Sequence, residues 1–439
     1  MKRLFIVDPS LKDLRGHHYA LMCAATLSAK SLGFEVYWLC STQYSDARRI
    51  DGVTIDPTFN DTMYESYMMP PQRGGLVGKL RSFAAGLFLN KNSASPKRIS
   101  PALSFRRDLQ AALARHNADE QDRIFIHTAD GVIFRAIAEL LLAREGAQLP
   151  IFHVATPYNP TGVMPNKGSW IDISEGISAL QGSDLIDSKI FLYGENTQLA
   201  EHLASHWSVC VRTLELPVQP REARKLERAQ AYRREVLGLS DDVFLIVSLG
   251  AARLEKGFHH FPEIVRHTAE LAGRDDYPDA DLKKIKFVLH ASPQIIGRHP
   301  EIVAAIEKLN AMPRAQVELI LEPLSDTDYE NLLHASDAIM MPYSKKDYGI
   351  RGSMIVSEAI AAAKSIIATA GTYPGYAAAE AHGCAAGTPQ EFAESVLEIS
   401  ADREAFKESA ERISAEFVAR NTVEGYWKKC LDAELAGEQ

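Results

Sequence analysis

The sequence lacks several features that would place the chain in a specialised class. Its five cysteines form no CxxC pair, and its formal net charge is -9 over 439 residues. Scattered cysteines in an odd number favour reduced thiols and a cytoplasmic location over a disulfide framework. The negative charge argues against general nucleic-acid binding. No apolar run approaches the roughly 18 residues of a membrane span. The apolar stretch within the first ten residues, MKRLFIVDPS, is too short for a signal peptide.

What the sequence does contain is two separate series of apolar strand patterns alternating with helical segments. The first series runs from residues 4–7 to residues 211–216, and the second restarts at 243–249 and continues to 365–369. This alternation is typical of α/β domains with parallel sheets, and the chain is too long for one core. We therefore expect an α/β protein with two Rossmann-like, doubly wound domains that face each other across a cleft.

The predicted domain boundaries follow these two series. They are an N-terminal domain at 1–218 with a basic insertion at about 61–100, a charged linker at 219–242, a C-terminal domain at 243–415, and a last helix at 416–439 that can pack back on the N-terminal domain. The insertion mixes basic and large apolar residues, which fits contact with an anionic membrane surface or closure over an acceptor. A surface helix with solvated charges is the simpler interpretation.

The strongest functional signal lies in residues 343–369. Arg351, Gly352 and Ser353 immediately precede a predicted helix, and Glu358 lies one turn further along it. Ser353 is a favourable N-cap, glycine permits close approach of a ligand, and a helix N-terminus binds anions. Arg351 adds donors suited to phosphate. Glu358 lies among apolar residues, where an ionised carboxylate needs a partner such as a ribose diol, unless the helix leaves it solvated.

Two other loops follow predicted strands. The loop GAARLEKG at 250–257 carries Arg253 and Lys256 between a strand and a helix, as a phosphate site does. In the first half, Gly16 opens a helix with His17 and His18 beside it, and His127 ends a clean strand. Ligands of α/β sheets bind at such strand ends. A structural role for these histidines is the competing interpretation, and His153, inside a strand, is interpreted as a hydrogen-bonded core residue.

Four segments of the second half resemble the C-terminal domain of the retaining GT-B glycosyltransferases of family 4. They are residues 250–257, 321–337, 353–363 and 370–380. The resemblance implies transfer of a sugar from a nucleotide sugar to an acceptor hydroxyl with retention of configuration. The acceptor would be a saccharide or a lipid-linked molecule, as in polysaccharide or glycolipid synthesis, with the protein in the cytoplasm or at the inner face of the membrane. It implies no metal or other cofactor, and the sequence shows no cluster with metal-ligand spacing.

The resemblance also implies roles for single residues in the second half. Lys256 contacts the donor diphosphate, Glu358 holds the ribose, and Gly250 borders the phosphates. Arg253 assists Lys256, although the family arginine directly follows the glycine. The remaining donor-binding positions are Arg351, Gly352 and Ser353 at the helix start, and Leu321 and Leu324 beside the base. Ile350 stands where the family has its first glutamate, and Asp347 is the nearest acid.

In the first half, Gly16 resembles the family's glycine loop near the donor phosphate and the acceptor, and it is assigned to donor binding. His17 and His18 lie on the acceptor side, and His127 takes the place of the histidine beside the sugar. The catalytic residues would then be His127, Arg253 and Lys256, and the departing phosphate would accept the proton from the acceptor. Two alternatives remain open: a sugar-nucleotide 2-epimerase of the same fold, and a catalytically silent binding or scaffold protein.

Overall fold

A computed structural model describes most of the chain, and two compact units divide it. The described residues are 2–12, 16–45, 52–60, 100–143, 149–158, 173–219, 222–278, 280–291, 299–381 and 383–437. Unit 1 comprises Met1–Leu214 and Tyr426–Gln439, and unit 2 comprises Glu215–Gly425. The predicted basic insertion lies outside the described residues, apart from Ser100. Elements are numbered here along the described residues.

Unit 1 contains a seven-stranded sheet in the order β3-β2-β1-β4-β5-β6-β7, with every neighbouring pair parallel. Its strands are β1 (Arg3–Asp8), β2 (Glu35–Ser41), β3 (Val53–Phe59), β4 (Arg123–Ile126), β5 (Ile151–Thr156), β6 (Ile190–Gly194) and β7 (Arg212–Thr213). Its helices are α1 (Gly16–Ser31), α2 (Pro101–Arg115), α3 (Gly131–Leu142), α4 (Ile173–Leu180) and α5 (Thr197–Trp207).

Unit 2 contains a six-stranded parallel sheet in the order β10-β9-β8-β11-β12-β13. Its strands are β8 (Phe244–Ser248), β9 (Ile285–His290), β10 (Val317–Ile320), β11 (Ala338–Met341), β12 (Ser365–Thr369) and β13 (Cys384–Ala386). Its helices are α6 (Ala223–Ala231), α7 (Phe261–Leu271), α8 (Pro300–Asn310), α9 (Asp326–Ala335), α10 (Lys345–Tyr348), α11 (Met354–Ala361), α12 (Tyr373–Glu380), α13 (Pro389–Ala401) and α14 (Arg403–Arg420). A π-helical turn (Tyr232–Val236) extends α6, and 3₁₀ turns cover Phe258–His260 and Leu282–Lys284.

The unit 2 core lies on both faces of the sheet because successive strand residues point to opposite sides. In β8, Phe244 and Ile246 join one hydrophobic cluster, whereas Leu245 and Val247 join another. Near-continuous apolar strands of this kind are expected when helices cover both faces of a parallel sheet. This burial explains why the strand patterns were readable in the sequence.

The last helix, α15 (Val423–Gly437), supplies part of the unit 1 core. Trp427 is fully buried, and its ring packs edge-on against Phe34. Glu434 accepts hydrogen bonds from Arg123 Nε at 2.7 Å and Nη2 at 2.6 Å, and it lies 2.9 Å from His153 Nε2. The interpretation of His153 as a hydrogen-bonded core residue is confirmed, since it is fully buried.

Sequence patterns missed two strands, and both lie at sheet edges. The edge strand β3 contains Pro57, whose missing N–H is tolerated there. The other, β13, has only three residues. The predicted strand at 211–216 is a strand over two residues only, Arg212–Thr213. Within the described residues, no helix is both long and apolar enough to cross a bilayer.

Candidate functional site

Each sheet has a topological switch point, where the strand order reverses about its first strand. In unit 1 this point lies between β1 and β4, and in unit 2 it lies between β8 and β11. Ligands of doubly wound sheets bind outside the carboxyl ends of strands at such points. Most residues predicted to form the site follow these four strands, and each unit therefore has its own candidate site at its switch point.

The loop after β8 needs glycine at both of its ends. Gly250 has φ +104°, and a Cβ there would lie 2.7 Å from Lys256 Nζ. Gly257 has φ +66°, and a Cβ there would lie 1.7 Å from the carbonyl oxygen of Pro342. Positive φ is strained for other residues at both positions, and at Gly257 the contact with backbone also excludes a side chain. The loop therefore folds the Lys256 amine back onto Gly250 and lies directly against the segment after β11.

Two cations of unit 2 lie over two adjoining aromatic rings. Lys256 Nζ is 5.6 Å from the ring centre of Tyr343, and the Arg351 guanidinium is 5.1 Å from that of Tyr348. The two buried tyrosine rings are 4.5 Å apart, so they bring both cations to one place. Burial, followed by the nearby charge of Arg253, lowers the pKa of Lys256 to about 8. An anion bound here would relieve both effects.

The N-terminus of α11 lies in the same segment as Arg351. Ser353 is its N-cap, as predicted, with extended backbone angles, but its side chain makes no capping hydrogen bond in the described part of the chain. Amide N–H groups in the first turn of a helix have no acceptor within the helix. In α11 the Val356 N–H donates to the Ser353 carbonyl oxygen at 3.0 Å. The Met354 and Ile355 N–H groups precede the first bond within the helix and can face an anion, and Gly352 precedes them without adding a side chain.

Glu358, on the second turn of α11, has a protein partner that the sequence did not indicate. The Tyr329 hydroxyl donates a hydrogen bond of 2.6 Å to Glu358 Oε2. Burial raises the pKa of Glu358 to about 7, although Tyr329 and Lys256 both favour the ionised form. A carboxylate held at one oxygen keeps acceptor capacity at the other, which suits a diol.

His290, at the end of β9, supports the loop after β8 and was not singled out from the sequence. Its Nδ1 accepts a hydrogen bond of 3.3 Å from the Gly250 backbone N–H. Burial lowers the pKa of His290, so the neutral ring that can accept this bond is favoured.

The remaining predicted residues of unit 2 lie less centrally. Leu321 and Leu324 are partly buried and pack against the two hydrophobic clusters on opposite sides of the sheet. The partly exposed Arg253 lies 3.5 Å from the carboxylate of Glu255. Asp347, on α10, lines a pocket of about 430 Å³ with residues that follow β8, β11, β12 and β13. Lys256, Arg351, Ser353 and Glu358 do not line it.

At the unit 1 switch point, Asp8 meets two histidines. Asp8 ends β1, and its Oδ2 lies 2.7 Å from His18 Nδ1 and 3.2 Å from His127 Nε2. Burial opposes ionisation of Asp8, but the two histidines outweigh it and hold the pKa of Asp8 well below its usual range. Burial likewise opposes protonation of His18, but Asp8 outweighs it and raises the pKa of His18. Sequence reasoning thus found both histidines and missed the carboxylate between them.

Other residues predicted or found near this cluster follow the same two strands. Gly16 is the first residue of α1, and the side chain of the following His17 lies outside the described part. His127 Nδ1 lies 2.8 Å from Thr128 Oγ1. Asp130, which was also not predicted, caps α3 by accepting a hydrogen bond from the Ile133 N–H, and burial raises its pKa to about 6. Position after a strand was the signal that would have identified Asp8 and Asp130.

Solved structures with the same fold include several glycosyltransferases. The UDP-forming α,α-trehalose-phosphate synthase from Burkholderia xenovorans is 12% identical, with 100% of both chains covered and a TM-score of 0.65. Sucrose-phosphate synthase from Thermosynechococcus elongatus is 11% identical, again over 100% of both chains, with a TM-score of 0.64. A glycosyltransferase from Rickettsia africae is 14% identical over 100% of this chain and 98% of its own, with a TM-score of 0.60.

These likenesses confirm the predicted fold class, α/β with two Rossmann-like, doubly wound units of the GT-B type. No protein-family model and no curated protein sequence matches the chain. The fold is therefore established by structure, and the activity has to be argued from the site.

Proposed function

We propose that the protein is a retaining glycosyltransferase that moves a sugar from a nucleotide sugar to an acceptor hydroxyl. The observation that carries the proposal is the pair of cations, Lys256 and Arg351, over adjoining tyrosine rings at the unit 2 switch point. The solved structures of the same fold add support, since two of them are named as enzymes that form sugar phosphates.

In this proposal the donor binds at the unit 2 switch point. The diphosphate lies against Lys256, Arg351 and the first-turn amides of α11, with Gly250 and Gly352 allowing close approach. Glu358 accepts hydrogen bonds from the ribose, and Leu321 and Leu324 border the base. The two cations replace the metal ion that many diphosphate sites use, so donor binding requires no metal.

The chemistry follows from where negative charge develops. As the bond between sugar and diphosphate breaks, charge grows on the leaving phosphate, and preorganised cations and amides stabilise it. Lys256 is the principal group, and Arg253 assists it. The departing phosphate takes the proton from the acceptor hydroxyl, so no protein nucleophile is required. The cluster around His127 in unit 1, with His17 and His18, supplies the acceptor side.

We propose further that the acceptor is a saccharide, a sugar phosphate or a lipid-linked sugar, and that the protein works in the cytoplasm. Peripheral contact with an anionic membrane through residues 61–100 belongs to the same proposal and rests on their basic and apolar composition. Sedimentation with anionic liposomes tests it, because a variant without residues 70–100 should then stay in the supernatant. Equal sedimentation of that variant would contradict it.

The test of activity is release of nucleoside diphosphate from UDP-, GDP- and ADP-sugars with and without a panel of sugar and sugar-phosphate acceptors. We expect release that depends on the acceptor, an α-linked product from an α-linked donor by NMR, and turnover about 100-fold lower in Lys256→Gln. Lys407→Gln, at a lysine on α14 that is 54% exposed and pairs with Glu404, is the matched control. Isomerised sugar without acceptor would indicate an epimerase, and binding without turnover would indicate a silent binding protein.

A further inference from the structure

Three side chains of unit 1, all of types that can bind metal ions, come together from distant parts of the chain. Asp8 ends β1, His18 lies in the first turn of α1, and His127 directly follows β4. One carboxylate oxygen and one nitrogen of each ring all lie within 4.8 Å of one another. His18 is 9% exposed, and Asp8 and His127 are each 2% exposed. A buried cluster of this kind differs from the exposed acidic groups that commonly lie together by chance.

Asp8 and His127 each use one polar side-chain atom to contact a neighbouring group. The other polar atom of each side chain faces that of its counterpart. The Ser10 backbone N–H donates to Asp8 Oδ1 at 2.8 Å, and Thr128 Oγ1 lies 2.8 Å from His127 Nδ1. Asp8 Oδ2 and His127 Nε2 are then 3.2 Å apart, yet no described residue makes an aligned hydrogen bond with that buried nitrogen. Such a polar atom is costly unless something binds it.

We propose that Asp8 Oδ2, His18 Nδ1 and His127 Nε2 bind a divalent transition-metal ion such as Zn²⁺. Two imidazoles and one carboxylate are a ligand set of Zn²⁺, whereas Mg²⁺ and Ca²⁺ take oxygen ligands. Thr128 orients the ring of His127 through the other nitrogen, as outer partners of metal-bound histidines do. Three protein ligands leave the fourth tetrahedral position open.

The distances permit such an ion with a small adjustment. Bonds of about 2.0–2.1 Å in a tetrahedron separate the ligand atoms by roughly 3.3 Å. The 3.2 Å between Asp8 and His127 meets this value, and the 2.7 Å between Asp8 and His18 is shorter. Binding therefore moves His18 outward by roughly half an ångström and removes the proton that it shares with Asp8.

A metal ion in unit 1 departs from the sequence-based expectation of no metal, since its three ligands lie in separate segments of the chain. It also changes the role taken from the family resemblance, because His127 then holds an ion and does not itself touch the sugar. It is independent of donor binding, which uses residues of unit 2.

The test is titration of the full-length, chelator-stripped protein with Co²⁺, followed by displacement with Zn²⁺. We expect one Co²⁺ per chain, with the intense visible absorption of a four-coordinate site that Zn²⁺ abolishes. His127→Gln should remove that absorption. Thr128→Val keeps all three ligands and should weaken the affinity for Co²⁺ by about 10- to 100-fold. If only hydrogen bonds held Asp8, His18 and His127 together, this variant would not change the binding of Co²⁺.

The control is the double variant His202→Gln, His206→Gln, which removes an exposed histidine pair on α5 with ring centres 6.1 Å apart. This pair is the obvious competing site, and the variant should bind Co²⁺ as the unchanged protein does. Circular dichroism checks that each variant is folded. Absence of four-coordinate Co²⁺ in the unchanged protein would overturn the proposal, as would a signal that survives His127→Gln and disappears in the double variant.

Discussion

The Tyr329 hydroxyl holds one oxygen of Glu358 at 2.6 Å, which ties α9 to α11 beside the two cations of unit 2. Tyr329 is therefore a positioning residue for the carboxylate in the proposed donor site.

Tyr329→Phe should destabilise unit 2 by about 1–3 kcal/mol, because it removes a donor from a half-buried carboxylate. It should also weaken nucleotide binding, since Glu358 loses its fixed orientation. Chemical denaturation and calorimetric titration measure the two effects. Tyr376→Phe, at a tyrosine that is 45% exposed on α12, is the matched control and should stay within about 0.5 kcal/mol. Equal behaviour of the two variants would contradict the positioning role.

Glu358 should make stability fall as the pH rises. Its pKa is about 7 in the folded chain against an ordinary value of 4.5, so the folded state keeps a proton that the unfolded state loses. The stabilisation of the folded state by this proton is complete below pH 4.5 and is lost by about pH 7. It amounts to at most about 3 kcal/mol, because part of the Glu358 side chain contacts solvent.

Glu358→Gln lacks this titration, so its stability relative to the unchanged protein should improve between pH 4.5 and pH 8. Melting temperatures of both proteins across that range measure the difference. Glu322→Gln, at an exposed position before α9, is the control and should follow the unchanged protein. Parallel curves for Glu358→Gln and the unchanged protein would show that Glu358 titrates as an ordinary glutamate.

Gly257→Ala should disrupt the loop after β8. Its Cβ would meet the Pro342 carbonyl oxygen at 1.7 Å, and φ is +66°. Backbone has to move, at a cost above the roughly 1 kcal/mol of a positive φ alone. Gly273→Ala has φ +79° but no neighbouring atom within 4 Å, so it isolates the effect of φ. We expect loss of nucleotide binding in the first variant alone, and similar binding by both would contradict the packing argument.

Glu434 should anchor α15 to unit 1. Glu434→Ala leaves the charge of Arg123 and the ring of His153 without their carboxylate, which costs about 3–5 kcal/mol. Glu434→Gln keeps one acceptor oxygen and should cost less. Hydrogen exchange across α15 and β5 measures the local loss. Unchanged protection in Glu434→Ala would show that Trp427 and its apolar neighbours hold the helix alone.

Buried strands were the part of the fold that the sequence revealed best. Strands such as β8 and β12 are apolar on both faces, and their burial between helices makes that pattern necessary. The edge strands β3 and β13 have fewer buried residues. β3 contains a proline and β13 has only three residues, so neither showed a strand pattern in the sequence.

The candidate site residues were predictable from the sequence where they lie together in one loop. Arg253 and Lys256 lie in one glycine-bounded loop between a strand and a helix, and Ser353 immediately precedes α11, so position and charge along the chain were enough. Contacts across elements were not predictable. Asp8 reaches His127 because β1 and β4 are neighbours in the sheet, and Tyr329 reaches Glu358 from another helix. Such pairs depend on topology, which a single sequence does not specify.

The nucleoside-diphosphate site proposed in unit 2 depends on Lys256 and Arg351. Calorimetric titration with UDP, GDP and ADP at pH 7 and pH 9 measures binding at this site. We predict that one nucleotide binds and that binding weakens as Lys256 loses its proton above pH 8. Lys256→Gln should lose both affinity and pH dependence, whereas Lys407→Gln, at an exposed lysine on α14, should keep them. Binding of no nucleotide, or equal binding by both lysine variants, would contradict a diphosphate site at Lys256.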